Sequence, residues 1–168
     1  MGDIFKEQLV KRKQTTKDTA IRVCLVVLVV LIFFLAILTI GAFAIIITAA
    51  AGFGAAYLMS FFKVEYEYVF TNGELDIDII YNKSRRKRLV SAHVSEIEIM
   101  AHIDDKIRAG EFTGFQEILD YSTGEITQDT YVFMINHKNK RAKVIISPNE
   151  KMQKAISTAL GRRKFHPR

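Results

Sequence analysis

Apolar and polar positions divide this chain into regions with different periods. From Val23 to Phe62 no residue is charged, a run of 40 positions. As one straight helix it would extend about 60 Å, twice the roughly 30 Å hydrocarbon core of a bilayer. The run therefore predicts two transmembrane helices, about Ile21 to Ile40 and Ala42 to Phe62. Thr39-Ile40-Gly41 supplies the tight turn between them, with Gly41 free to take backbone angles that other residues avoid. Almost nothing polar is left to protrude on the far side.

From Val64 the period becomes two. Val64, Tyr66, Tyr68 and Phe70 alternate with Glu65, Glu67, Val69 and Thr71; Asn72-Gly73 then signals a two-residue hairpin into Leu75, Ile77 and Ile79. That loop fixes the register: Phe70 faces Leu75, Tyr68 faces Ile77 and Tyr66 faces Ile79, so every large apolar side chain shares one face. On the other face Glu67 opposes Asp78 with Asp76 beside it, and directly opposed like charges destabilise a strand pair. A third strand through Arg86 and Arg88 would lay two guanidiniums across this acidic ladder.

Further alternation over Val94 to Met100 predicts another strand, and Ala101 to Gly114 reads as a long loop. Phe115 to Tyr121 fits either a strand or a helical turn. Tyr131–Asn136 and Arg141–Ile146 form a second hairpin around His137–Asn139. The last element is a helix, with Ser147 as cap, Pro148 at the first position and Glu150 completing a capping box. Met152, Ala155, Ile156, Ala159 and Leu160 make its apolar face, and Gly161 stops it.

The expected organisation is a cytosolic N-terminal segment over 1–20, a membrane hairpin over 21–62, a mostly-β domain with a C-terminal capping helix over 63–161, and a basic tail over 162–168. Ile4, Phe5, Leu9 and Val10 fall along one helical face, so the first segment reads either as an interfacial helix or as an unstructured lead-in. Charge agrees with the hairpin. Lys and Arg total 24 against 18 Asp and Glu, a net +6, and cations crowd both flanks of the apolar run. Basic flanks favour the cytoplasmic side, which places both termini there and the chain in the cytoplasmic membrane as a multi-pass protein.

Within the second span Thr48, Gly52 and Ala56 recur every four residues. Small residues at that spacing let helices approach closely. They can serve the chain's own first helix, the reading favoured by tethering, or a second copy. No Asp, Glu, Lys, Arg or His lies inside the run, which argues against a channel or transporter. Cys24, the only cysteine, lies in the first span and can form no disulfide within the chain.

The Arg85-Arg86-Lys87-Arg88 cluster has two open readings: all four can meet anionic phospholipid, or the cluster can serve the sheet by covering the acidic ladder. The two can also divide, with Arg86 and Arg88 serving the sheet and Arg85 and Lys87 freer to meet lipid. Nucleic acid finds no reader motif here. The histidines His93, His102, His137 and His166 lack partners at metal-ligand spacing, and no motif for a cofactor or a catalytic set is present. His102 with Asp104 and Asp105 is the one local grouping of catalytic residue types, without a nucleophile nearby.

Several segments carry a family resemblance: FKEQLVKRKQTTKDT, KVEYEYVFTNGELDIDIIYNKSRRKRL, IEIMAHIDD and PNEKMQKAI. Together they resemble a domain-of-unknown-function family of small clostridial-type membrane proteins, with TNGELDID and SRRKR the most specific parts. The resemblance implies a membrane hairpin and a cytosolic domain similar to bacterial pleckstrin-homology domains, and it brings no activity, cofactor or catalytic residue. The function expected is a non-enzymatic, membrane-anchored interaction module whose partner is the anionic lipid surface or another membrane protein. The competing classes are a structural or accessory subunit of a membrane complex and an enzyme acting through the 101–114 loop.

Overall fold

The computed structural model of the chain describes residues 5–167. Nearly all of the charge-free run lies in one helical stretch of 45 residues, Thr16–Ser60, which begins ahead of it and takes in Lys17, Asp18 and Arg22. This corrects the expectation of two separate spans joined by a tight turn at Thr39-Ile40-Gly41. A 3-10 turn at Gly41–Phe43 carries α1 (Thr16–Ile40) directly into α2 (Ala44–Ser60). Gly41 sits at φ 57°, ψ −129°, a combination other residues reach only with strain, and its N–H still donates to Ile37 O. Thr15 caps the stretch: its Oγ1 accepts from the Asp18 N–H at 3.3 Å, and Asp18 Oδ2 accepts from the Thr15 N–H at 3.0 Å.

The two ends of the stretch lie together, with the Arg22 guanidinium 5.8 Å from the centre of the Phe62 ring. Along its length most large side chains stay exposed, Leu38 at 83% and Phe53 at 81%, whereas Ala36, Ala44 and Ala55 are buried.

Ahead of the stretch Phe5–Lys11 is a strand, β1, and neither an interfacial helix nor an unstructured lead-in; Ile4 lies outside the described residues. It pairs antiparallel with β2 (Val64–Thr71) in the register Gln8↔Tyr68 and Lys11↔Glu65. The partner strand explains the outcome. Val10 is buried against the same core as Tyr66 and Tyr68, while Phe5 and Leu9 remain exposed on the other side. β3 (Glu74–Tyr81) follows in the register read from Asn72-Gly73, and β4 (Arg85–His93) completes a four-stranded sheet ordered β1-β2-β3-β4. Asn72 at φ 49° and Gly73 at φ 92° make the two-residue turn, as the dipeptide predicts.

A second sheet, ordered β6-β8-β7-β5-β9, comprises β5 (Met100–His102), β6 (Glu117–Asp120), β7 (Tyr131–His137), β8 (Lys140–Ile146) and β9 (Phe165–His166). Of the strand expected over Val94 to Met100 only Met100, the first residue of β5, is strand. A turn occupies 94–96, and in the irregular 97–99 segment after it Glu98 accepts from Arg141 Nε and Nη2 at 3.1 and 2.7 Å. The ambiguous 115–121 segment forms the strand β6 over Glu117–Asp120, parallel to β8. Both faces of this sheet are covered, which is why Tyr131 to Ile135 reads as an unbroken apolar run. One face meets the first sheet; the other receives Phe112 from a 3-10 turn, Ala109–Phe112, inside the segment expected to be plain loop.

Helix α3 (Glu150–Leu160) closes the barrel-like pair of sheets with Met152, Ala155, Ile156 and Leu160 buried, while Ala159 stays outside. Its cap is Asn149, whose Oδ1 accepts from the Met152 N–H at 2.9 Å, and not Ser147. Ser147 is engaged elsewhere: its N–H donates to Tyr68 Oη at 3.2 Å and its Oγ accepts from the Thr123 N–H at 3.3 Å. Gly161, at φ 72°, ends the helix as expected. Phe165 and His166 pair in parallel with β5, and Lys164 Nζ donates to Ser95 O at 3.1 Å.

Candidate functional site

The acidic ladder and its arginines decide which cations remain available. Glu67 and Asp78 face each other in the β2–β3 register and are 2% and 3% exposed. Charges this buried require partners. A bulge in β4 after the Ile77↔Val90 pair brings Arg88 opposite Asp78. Arg88 Nη1 lies 2.7 Å from Asp76 Oδ2, and its Nε donates to Asp78 Oδ1. Arg86 Nη2 lies 2.5 Å from the Glu67 carboxylate. The cross-strand remedy expected from alternation is therefore in place.

Burial pushes the Glu67 carboxyl above the ordinary range, opposed by Arg86 and reinforced by Glu7. The folded state thus holds that proton more tightly than the unfolded chain does. Glu67's share of stability is present at acidic pH and is lost as pH rises through its folded value.

Arg85 and Lys87 have no such partners. Both are exposed, and neither side chain forms an ion pair or hydrogen bond among the described residues. With Phe61, Tyr81, Ser84 and Arg86 they line an open cleft of about 790 Å³. Phe61 immediately follows α2, so the cleft lies at the foot of the helical stretch. Tyr81 arrives there because it pairs with Val64, three residues beyond Phe61. Extending the hairpin register to its last pair would have revealed that neighbour in the sequence. The arrangement joins cationic heads to an apolar and aromatic wall, a chemistry suited to an anionic group attached to an apolar body.

Thr48 and Gly52 are half-buried and Ala56 is exposed. Thr48 Oγ1 donates to Ala44 O at 2.9 Å, and a Cβ added to Gly52 would meet nothing within 4 Å. A four-residue spacing drifts about 40° per step around a helix, so the buried positions are Ala44 and Ala55, and Ala56 rotates away.

His102 is buried, its Nδ1 accepting from the Asp104 N–H at 3.2 Å and its ring set edge-on to Tyr131. Asp105 Oδ1 caps its own loop by accepting from the Ile107 N–H at 3.0 Å. These three residues do not converge on a common point. Among the described residues no three of His, Cys, Asp and Glu gather as a metal site.

The chain belongs to the family described as Bacterial PH-like domain (DUF6106), whose profile matches residues 2–166. The mostly-β domain with its C-terminal helix fits that description. No curated protein and no solved structure matches the chain.

Proposed function

We propose that this protein is a membrane-anchored, non-enzymatic interaction module. Its helical stretch crosses the cytoplasmic membrane twice, reversing at Gly41, and its PH-like domain rests on the anionic inner leaflet. Straight, the stretch's 45 residues would reach about 68 Å. Its ends nevertheless flank paired strands, with the Arg12 N–H donating to Val64 O at 3.2 Å. Reversal at Gly41 leaves two arms, each near the thickness of one hydrocarbon core. The arms expose their apolar side chains and suit lipid better than a soluble core. A removable leader fits poorly, since β1 lies ahead of the stretch and belongs to the sheet.

Tags at the two termini should then be protected together in intact cells and digested together in inverted vesicles. Digestion of only one in either preparation overturns the double crossing.

One observation carries the lipid reading: Arg86 and Arg88 are consumed by the acidic ladder, whereas Arg85 and Lys87 stand unpaired in the cleft beside Phe61. Each cation held at an anionic surface contributes on the order of 1 kcal/mol. Arg85→Ala with Lys87→Ala should therefore weaken the preference for phosphatidylglycerol over phosphatidylcholine roughly 30-fold, read as lipid retained by the full chain in nanodiscs. Equal retention by the wild type and the double variant would show that the cleft does not bind anionic lipid.

A further inference from the structure

A second cleft of about 430 Å³ opens at the same end of the domain and shares no lining residue with the first. Lys11, Arg12, Lys63 and Lys83 line it together with Phe62 and Glu65. We infer that it is a binding site for the phosphomonoester headgroup of an anionic lipid. This deepens the reading above and rests on it, because the cleft needs the helical stretch in a bilayer to stand at headgroup depth.

Three segments distant in sequence deliver these cations. Lys11 and Arg12 come from the end of β1, Lys63 from the entry to β2, and Lys83 from the β3–β4 turn. Backbone bonds fix the junction: the Arg12 N–H donates to Val64 O at 3.2 Å, and the Asn82 N–H donates to Lys63 O at 2.9 Å. Lys83 itself holds φ 57°, a left-handed conformation uncommon for lysine.

None of the four cations forms an ion pair among the described residues, although the chain pairs others readily. Lys13 meets Glu125, Arg141 meets Glu98, and Arg86 and Arg88 meet the ladder. Glu65, directly opposite Lys11 in register, lines the cleft without neutralising any of them. Four like charges gathered in one place repel one another, and an anion between them relieves that repulsion.

The charge count selects the class of anion. Four cations and one carboxylate leave a surplus of three positive charges. A phosphodiester brings one negative charge, whereas a phosphomonoester brings about 1.5 to 2 and three acceptor oxygens. Phe62, with Arg22 over its ring, ends the uncharged run and marks the boundary where a headgroup phosphate would lie. Lipid phosphate and free phosphate share this chemistry, so the test must separate them.

The full chain is placed in phosphatidylcholine nanodiscs carrying either phosphatidate or phosphatidylglycerol at equal total charge, and bound lipid is measured by native mass spectrometry. The wild type should prefer phosphatidate at least tenfold. Lys11→Gln with Lys83→Gln should bring the preference below threefold; both positions are exposed, and an unchanged thermal melt verifies the fold. Arg85→Ala with Lys87→Ala should keep the phosphatidate preference while weakening anionic lipid binding overall. An absent preference in the wild type, or one that survives Lys11→Gln with Lys83→Gln, overturns the site. Loss of overall anionic binding in the Arg85/Lys87 variant alongside an absent preference would sink the site and leave the broader reading standing. If inorganic phosphate binds as tightly as phosphatidate and displaces it, the lipid source is overturned.

Discussion

Arg88→Ala is expected to lower the unfolding free energy by about 2–3 kcal/mol, a large share of a small domain's stability. Removing one member of a buried ion pair costs about 3–5 kcal/mol, because the other charge is left desolvated. Asp78 is nearly fully buried, but the Arg88 side chain is 52% exposed, so water screens part of the loss and the smaller figure applies. The variant leaves Asp76 and Asp78 beside Glu67, with Arg86 the one guanidinium on the ladder. Asp78→Asn in the Arg88→Ala background should restore at least half of the loss, since the amide carries no charge to desolvate. Urea unfolding of the detergent-solubilised chain, run as a double-mutant cycle, gives the coupling. A cycle that closes with no coupling would mean that the arginine acts through something other than these carboxylates.

Tyr68→Phe should cost a similar amount, about 2–3 kcal/mol, with almost no change in shape. The phenol is fully buried where the two sheets and the start of α3 meet. Its hydroxyl donates to Tyr121 O and accepts from the Ser147 N–H at 3.2 Å. Phenylalanine would fill the same space and leave a backbone acceptor and a backbone donor without partners, each costing about 1–3 kcal/mol when buried.

The same residue predicts alkaline sensitivity. Burial raises the Tyr68 phenol well above its ordinary value of 10.0, and Tyr66 and Tyr121 move the same way by burial. The folded chain holds these protons more tightly than the unfolded chain, so their contribution is intact below pH 10 and is lost as pH rises above it. Denaturation midpoints measured from pH 8 to 11 should fall more steeply for the wild type than for Tyr68→Phe. Parallel curves would assign the alkaline loss to other groups.

The register of the first hairpin was legible because it depends on nearest neighbours. Asn72-Gly73 admits one turn geometry, and the period of two then aligns Tyr66, Tyr68 and Phe70 with Ile79, Ile77 and Leu75. The same arithmetic foresaw Arg86 and Arg88 on the acidic face. By contrast, β1 was hidden: FKEQLVK has too few apolar positions to separate a helix period from a strand period, and its partner lies beyond the whole helical stretch. Ser147 carried every local sign of a helix cap, yet Tyr68 and Thr123 claim its groups and the cap passes to Asn149. The basic tail had no visible pattern because β9 spans only two residues and pairs with a distant strand.

By itself the sequence determined the apolar stretch, the alternating strands of both hairpins and the closing helix. These follow from solvent preference and from periods only a few residues long. Only the tertiary structure decided that β1 joins the first sheet, that Phe112 covers the second, and that Lys11, Arg12, Lys63 and Lys83 share one cleft. Each of those depends on which distant segments exclude water together, and no local pattern encodes that choice.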